Sequence, residues 1–475
     1  AGVIRCDQSG VEAQVEYEPF IGMSEKKVLL ISLAFPPTPQ VGALRVAKLA
    51  HYLPQAGWTP IVLTLPQSSY TSIRDPATGT PLKALSYYRR PEKTYEVSAV
   101  NPFRFASEMR KNLSRASSSS PSASQENPSR EIEPAKPHWR FRLGTALRHV
   151  LVPDEYAHWV LRATSRGREI IETERPDAIW AFYPHASNLL AGYALSRSSG
   201  LPLLLDFRDP WTGFISWGDV PKWRHLIDES LERRILDHAR VITVVNEGVA
   251  DDITRKVPAA KNKIRELPQG IDFAEAAAIT RTEPQRQDRV LRIGYGGTLS
   301  RNLGDPERFL NALSRILSRG KVDRSCVRVI FVGHSTLDLK SMIEKAGLGD
   351  VVETHGHRER YEALGMLSEC DQLLLINERP GKVWITGKIW DYLTLRLPIF
   401  ALVDPESAAA KLIESTGTGR IAPPWDDHAI EAELERTIQG FNAHGSLSFT
   451  PNESVLENYS MSSVARKAAN ILASS

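Results

Sequence analysis

Cysteine is scarce, long apolar runs are missing and neither sign of charge dominates, and each shortage removes a class of protein. The three cysteines in 475 residues, Cys6, Cys326 and Cys370, are an odd number without the paired spacing of a zinc site. They argue against a disulfide framework and for a reducing compartment. No stretch approaches the ~18–20 consecutive apolar residues that span a bilayer. No basic segment followed by an apolar one marks an export signal, so a cytoplasmic location is the expectation. Charge is nearly balanced, 59 basic against 56 acidic residues for a formal net charge of +3, which gives no electrostatic case for a nucleic-acid partner. Asp-x-Asp is absent throughout, which weakens a metal-dependent sugar-nucleotide site, and so is the Gly-x-Ser-x-Gly of a nucleophile elbow. Two glycine motifs also fail. Gly381 to Lys388 has five residues between its glycines and Ile389 where a phosphate loop needs Ser or Thr, and Gly294-Tyr295-Gly296-Gly297 reaches Leu299 where a dinucleotide fingerprint needs glycine.

What is present is ordinary globular material, 42% hydrophobic and 24% charged, enough for roughly two to three domains. Short apolar runs bounded by charge or proline read as buried parallel strands: Val28 to Leu33, Trp58 to Thr64, Ala178 to Phe182, Pro202 to Phe207 and Val241 to Val245. Helical periods separate them at 42–56, 187–198 and about 222–239. After a break of mixed charge and alanine at about 274–289 the rhythm restarts, with strands at 291–295, 327–332, 372–376 and 398–403. Helices are expected at about 305–319, at 337–346, from about 387 and at about 459–473. The expectation is α/β, two doubly wound domains in succession, with a ligand in the cleft at the carboxyl ends of the strands. The boundaries read as an N-terminal extension 1–22 (Met23 resembling a natural start), a first domain 23–275, a second domain 276–445 and a C-terminal helical segment 446–475. Within the first domain the Ser- and Pro-rich stretch 112–137 has almost nothing to bury and reads as a disordered insertion.

One constellation carries chemistry. Thr386 is a credible helix cap, which puts Lys388 in the first helical turn and Asp391 three residues on, on the same face. A cation there opposes the helix dipole unless an anion sits between them. A helix terminus with a cation for phosphate and a carboxylate for vicinal hydroxyls describes a nucleoside-diphosphate site. A solvated Lys–Asp pair on an ordinary helix is the competing reading of the same residues.

The run Gly387-Lys388-Ile389-Trp390-Asp391-Tyr392-Leu393 resembles the Lys-Leu-Phe-Glu-Tyr-Leu-Ala signature of glycosyltransferase family 4, retaining enzymes of GT-B fold. Further pieces follow in the family's order. They are Phe35-Pro36-Pro37 with Val41-Gly42-Ala43-Leu44-Arg45, then Val152-Pro153-Asp154 with Trp159, Arg175-Pro176-Asp177, Leu205 to Trp211, and Leu267-Pro268-Gln269-Gly270-Ile271-Asp272. Gly296-Gly297-Thr298-Leu299, Phe331-Val332-Gly333 and His355-Gly356-His357 complete the set. The resemblance implies a GT-B architecture of two Rossmann-like domains facing a central cleft, with the last helix returning to the first domain.

It also implies a hexosyltransferase that moves a sugar from a nucleoside diphosphate to a saccharide or lipid-linked hydroxyl with retention, in polysaccharide or glycolipid synthesis. No metal or other cofactor is implied. A nucleotide-sugar epimerase and an inactive saccharide-binding relative are the alternatives. Donor contacts carry over to Gly42, Gly297, Thr298, Arg301, Gly356, His357, Lys388 and Asp391; catalytic roles to Arg208, Asp209 and Lys388; and the acceptor side to Arg45, His185 and Trp211. Several family positions differ: Val383 and Asp391 stand at the paired glutamates, Thr298 and Leu303 at the diphosphate-gripping Arg and Lys, and Arg208 at a frequent His. Trp211, Trp217 and Trp223 recur six residues apart, which suits lid packing, sugar stacking or a membrane interface. The basic run Trp139 to Leu151 reads either as a solvated helix face or as a contact with anionic lipid at the cytoplasmic membrane face.

Overall fold

A computed structural model describes residues 26–38, 42–69, 87–88, 90–99, 150–213, 220–279, 288–301, 304–320, 322–377 and 385–475. The extension 1–22, the insertion 112–137, the basic run from Trp139 to His149, and Trp217, Leu303 and Val383 lie outside these residues.

Two parallel sheets follow one another along the chain. The first contains β1 (Lys26–Ile31), β2 (Trp58–Thr64), β3 (Thr94–Glu96), β4 (Ala178–Phe182), β5 (Leu203–Phe207), β6 (Val241–Val244) and β7 (Ile264–Glu266), in the order β3-β2-β1-β4-β5-β6-β7. The second contains β8 (Leu291–Gly296), β9 (Val327–Val332), β10 (Val352–Thr354), β11 (Gln372–Asn377), β12 (Ile399–Val403) and β13 (Gly419–Ala422), in the order β10-β9-β8-β11-β12-β13. Each order runs outward from its first strand and then reverses. That leaves a switch point between β1 and β4 and another between β8 and β11, where crossover loops diverge and a crevice opens.

Central strands such as Ala178–Phe182 and Ile399–Val403 are buried on both faces because helices cover both sides, so they read as unbroken apolar runs. Leu29 and Ile31 enter one core and Val28 and Leu30 the opposite one. The terminal helix Met461–Ala473 returns to the first sheet, placing Val464, Ala465, Ala468 and Leu472 against Val28, Leu30 and Trp180. The helix Asp427–His444 instead buries Ile430, Leu434 and Ile438 against the second sheet.

The structure corrects the sequence reading in places. The break at 274–289 opens with a short helix, Phe273–Ala278, whose cap Asp272 accepts the amides of Ala274 and Glu275. The cap of the helix Lys388–Leu395 is Gly387, and the Thr386 hydroxyl only accepts the Lys388 amide at 3.3 Å.

Candidate active site

Three loops converge where β8, β9 and β10 end. Gly297, at φ 120°, donates its amide to Val332 O at 2.8 Å; Gly333, at φ 142°, donates to Gly356 O at 2.8 Å. A side chain on Gly333 would collide with the Gly297 carbonyl, so the close approach demands glycine there as well as the positive φ. Beside the loops lies a cavity of about 400 Å³ lined by Gly297, Gly333, His334, Ser335, Gly356 and His357, with Phe331 and Leu337 as apolar wall. Its position at the carboxyl ends of parallel strands is where this architecture binds ligands.

Lys388 begins the helix Lys388–Leu395 and lies against this loop cluster. Its Nζ contacts the Tyr295 hydroxyl, sits 4.3 Å from the Tyr295 ring centre and reaches Thr298 O at 3.4 Å. Its stem occupies the space a Gly297 side chain would need. Burial pushes the ammonium down to about 8, and among the described residues no carboxylate pairs with it. A desolvated cation held by a phenol, a carbonyl and a helix N-terminus has its charge uncompensated, which is the arrangement an anionic ligand would complete.

Asp391 is not the free carboxylate that the sequence suggests. Both of its oxygens accept from Arg360, at 2.9 and 2.7 Å, and Arg360 also reaches Glu275 at 3.3 Å. Thr298 turns its carbonyl, not its hydroxyl, to Lys388 and Tyr295. Arg301 and His357 are exposed at the rim of the loop cluster.

On the first sheet, Arg208 and Asp209 follow β5 and pair with each other at 3.2 Å, each about a quarter exposed. His185 caps the helix Ala186–Ser199 and meets Tyr156 edge-on at 5.2 Å. Burial lowers its imidazole, Asp154 and Glu155 oppose that, and the Arg208 charge adds to the lowering. His185, Arg208 and Asp209 therefore share one patch at the carboxyl end of the sheet. Gly42 starts the helix Gly42–Tyr52 with open space around it.

Two acceptor-side expectations are corrected. Arg45 is 3% exposed, grips Asp206 through Nε and Nη2 at 2.7 Å each, and donates to Leu267 O and Pro268 O at 2.9 Å. That fork fastens the first helix to β5 and to the end of the sheet; none of its geometry is aimed at a substrate. Trp211, 1% exposed, belongs to the apolar core, whereas Trp223 is 48% exposed, so the spaced tryptophans do not form one surface. Sequence reasoning also passed over Tyr295, Arg360, Glu275 and Lys48. Only Glu275 carried a local signal, the Asp272-x-x-Glu275 spacing of a capped helix start. No group of three or more His, Cys, Asp or Glu among the described residues is placed to hold a metal ion.

Comparison with known proteins fits this geometry. Residues 42–270 match the family pattern described as the glycosyl transferase 4-like domain. No curated protein matches the sequence significantly. Solved structures align over nearly the full length. A glycosyltransferase from Rickettsia africae ESF-5 covers 95% of this chain and 99% of its own at 12% identity and a TM-score of 0.59. A lipopolysaccharide outer core galactosyltransferase in its apo form covers 94% and 99% at 11% identity and 0.53. A putative UDP-N-acetylglucosamine 2-epimerase from Listeria monocytogenes covers 95% and 96% at 10% identity and 0.51. At such identities the likeness establishes the fold. The first sheet is one half of a GT-B architecture, and the second sheet with its cavity is the other half.

Proposed function

We propose that this protein transfers a hexose from a nucleoside-diphosphate sugar to a hydroxyl of a saccharide or lipid-linked acceptor, with retention and without a metal ion, in polysaccharide or glycolipid synthesis. The observation that carries the reading is Lys388, a half-buried cation without a carboxylate partner among the described residues, at a helix N-terminus beside a cavity of about 400 Å³. Negative charge grows on the departing diphosphate, so a fixed cation and helix terminus aimed at it stabilise the transition state more than the ground state. Gly297 and Gly356 would bring backbone close to the nucleotide, with His357 at its base. Arg208, Asp209 and His185 are the polar groups of the first sheet available to the sugar and the acceptor.

For a lipid-linked acceptor, the stripe Trp223, Leu226 and Ile227 on the helix Lys222–His238, each at least 40% exposed, is the apolar surface that would meet a membrane. No helix among the described residues is long and apolar enough to cross one.

Incubation with a panel of nucleotide sugars plus oligosaccharide or lipid-linked acceptors, with and without chelator, tests the proposal. Acceptor-dependent release of nucleoside diphosphate that survives chelation is the expected result. The alignment with the Listeria epimerase supports a second reading, an epimerase on the same fold. That reading predicts an isomerised nucleotide sugar in the absence of any acceptor.

A further inference from the structure

Between the two sheets, four buried or half-buried charges alternate in sign, and none of them lines the cavity. Lys48, on the helix Gly42–Tyr52 of the first half, places Nζ 3.2 Å from Glu275. Glu275 is fully buried on the helix Phe273–Ala278 that connects the sheets. On its other side it meets Arg360 at 3.3 Å, and Arg360 in turn grips both oxygens of Asp391. The hydroxyls of Tyr88 and Tyr361 also reach Glu275, at 3.3 Å each. Next to it Asp272 accepts from Tyr52 at 2.7 Å and from Tyr88 at 2.5 Å, so the connecting helix is tied to the first half by two residues.

The two ends of this chain are rigid. At one end the Lys48 helix is fastened to β5 through Arg45 and Asp206. At the other, Asp391 is one helical turn beyond Lys388 on an eight-residue helix, so a shift at Asp391 moves Lys388 with it. Burial opposes the Glu275 charge, but Lys48 and Arg360 more than offset that and hold its carboxyl below the usual range. Burial likewise works against the Arg360 cation, and Asp391 and Glu275 keep it charged. Separating Lys48 from Glu275 leaves a buried ammonium without its carboxylate, which costs more than moving the next member along. Arginine suits position 360 because its planar fork takes both oxygens of Asp391 while still reaching Glu275, a bidentate grip that a lysine ammonium would give up.

We propose that Arg360 is a positioning residue that couples the helix carrying Lys388, through Glu275 and Lys48, to the first half of the protein. The functional value of the tie rests on the donor reading of Lys388; its existence does not. Motion of one half against the other then changes where Lys388 stands, so donor site and acceptor side are set together.

Hydrogen exchange resolved by peptide, with and without UDP, GDP or ADP, tests this in the full-length protein. Lys48→Met alters only the first half, yet the coupling predicts exchange in 388–395 faster by about tenfold, the equivalent of one charge-assisted contact. The helix Glu307–Ser318, packed elsewhere on the second sheet, should stay unchanged. Glu275→Gln, which keeps the shape, and Arg360→Lys, which keeps the charge, should reproduce the effect, and each should weaken nucleoside-diphosphate binding. Unchanged exchange in 388–395, or equal acceleration in 307–318, overturns the coupling. Wild-type protein that binds none of the three nucleotides overturns the donor reading, while the exchange pattern still decides the tie.

Discussion

The two sheets share a topology but treat their charges oppositely. In the first half the cations are spent internally: Arg45 on Asp206, Arg224 on Asp228 at 2.8 Å, Lys256 on Asp252 and Glu232 at 2.6 and 3.3 Å. In the second half Arg360 is equally committed, but among the described residues Lys388 has only a phenol and a carbonyl beside the cavity. Paired buried ions hold elements in place, whereas an unpaired one costs stability and is useful only when a ligand completes it. On the proposed reading, the difference separates a structural half of the cleft from the half that binds the anionic donor.

Breaking a structural pair should give the largest effect. Arg45→Met leaves fully buried Asp206 with Thr243 as its remaining side-chain partner at 2.7 Å. A loss of about 3–5 kcal/mol is expected, on the order of 10 °C in a thermal melt. Folded protein recovered at lower temperature should retain its nucleoside-diphosphate affinity. Intact thermal stability would remove Arg45 from the structural side of the comparison.

Lys388→Ala should behave in the opposite way. Titration calorimetry with nucleoside diphosphate should show ~1.5–3 kcal/mol lost, one to two orders of magnitude in affinity. The melting temperature should hold or rise, because the change removes a desolvated charge. Wild-type affinity in this variant would end the donor assignment.

Acidity sharpens the same point. With Lys388 near 8 instead of its ordinary 10.5, the free protein sheds the proton above pH 8, and diphosphate affinity should then fall by about tenfold per pH unit. Binding at pH 8–9 should take up a proton, visible as a buffer-dependent binding enthalpy. The stability effect has the reverse sign. Between about 8 and 10.5 the unfolded chain holds more protons than the folded one, so the penalty from this residue, complete below 8, fades as pH rises. Both trends should vanish in Lys388→Ala.

The smallest structural effect belongs to Asp209→Asn. The Arg208–Asp209 pair is partly exposed, and its loss should cost below about 1 kcal/mol. A clear drop in turnover without a matching loss of stability would give the pair a place in the reaction. Unchanged turnover would leave it a local ion pair.

Much of the scaffold was legible in the chain. Central strands such as Ala178–Phe182 and Ile399–Val403 announce themselves because burial on both faces requires continuous apolar residues. The short strands Thr94–Glu96, Ile264–Glu266 and Val352–Thr354 carry no such signal, because three residues at or beside a sheet edge need neither alternation nor a run. The helix Phe273–Ala278 was hidden for a related reason: its six residues are too few to show a period, and only its cap betrays it. In the site, Lys388 could be found from its place at a helix start, a property of local sequence.

The fates of the other charges could not be found that way. Arg45 and Asp391 look alike in sequence, each a charged residue inside a helical motif available to a substrate. Their partners, Asp206 and Arg360, lie 161 and 31 residues away. Sequence by itself determined the alternation of strand and helix, the two-sheet division and the cation at the head of a helix, since these follow from local propensity and burial pattern. Which charges neutralise one another was decided only by the tertiary structure, because an ion pair depends on distance and desolvation in space, and neither is encoded by separation along the chain.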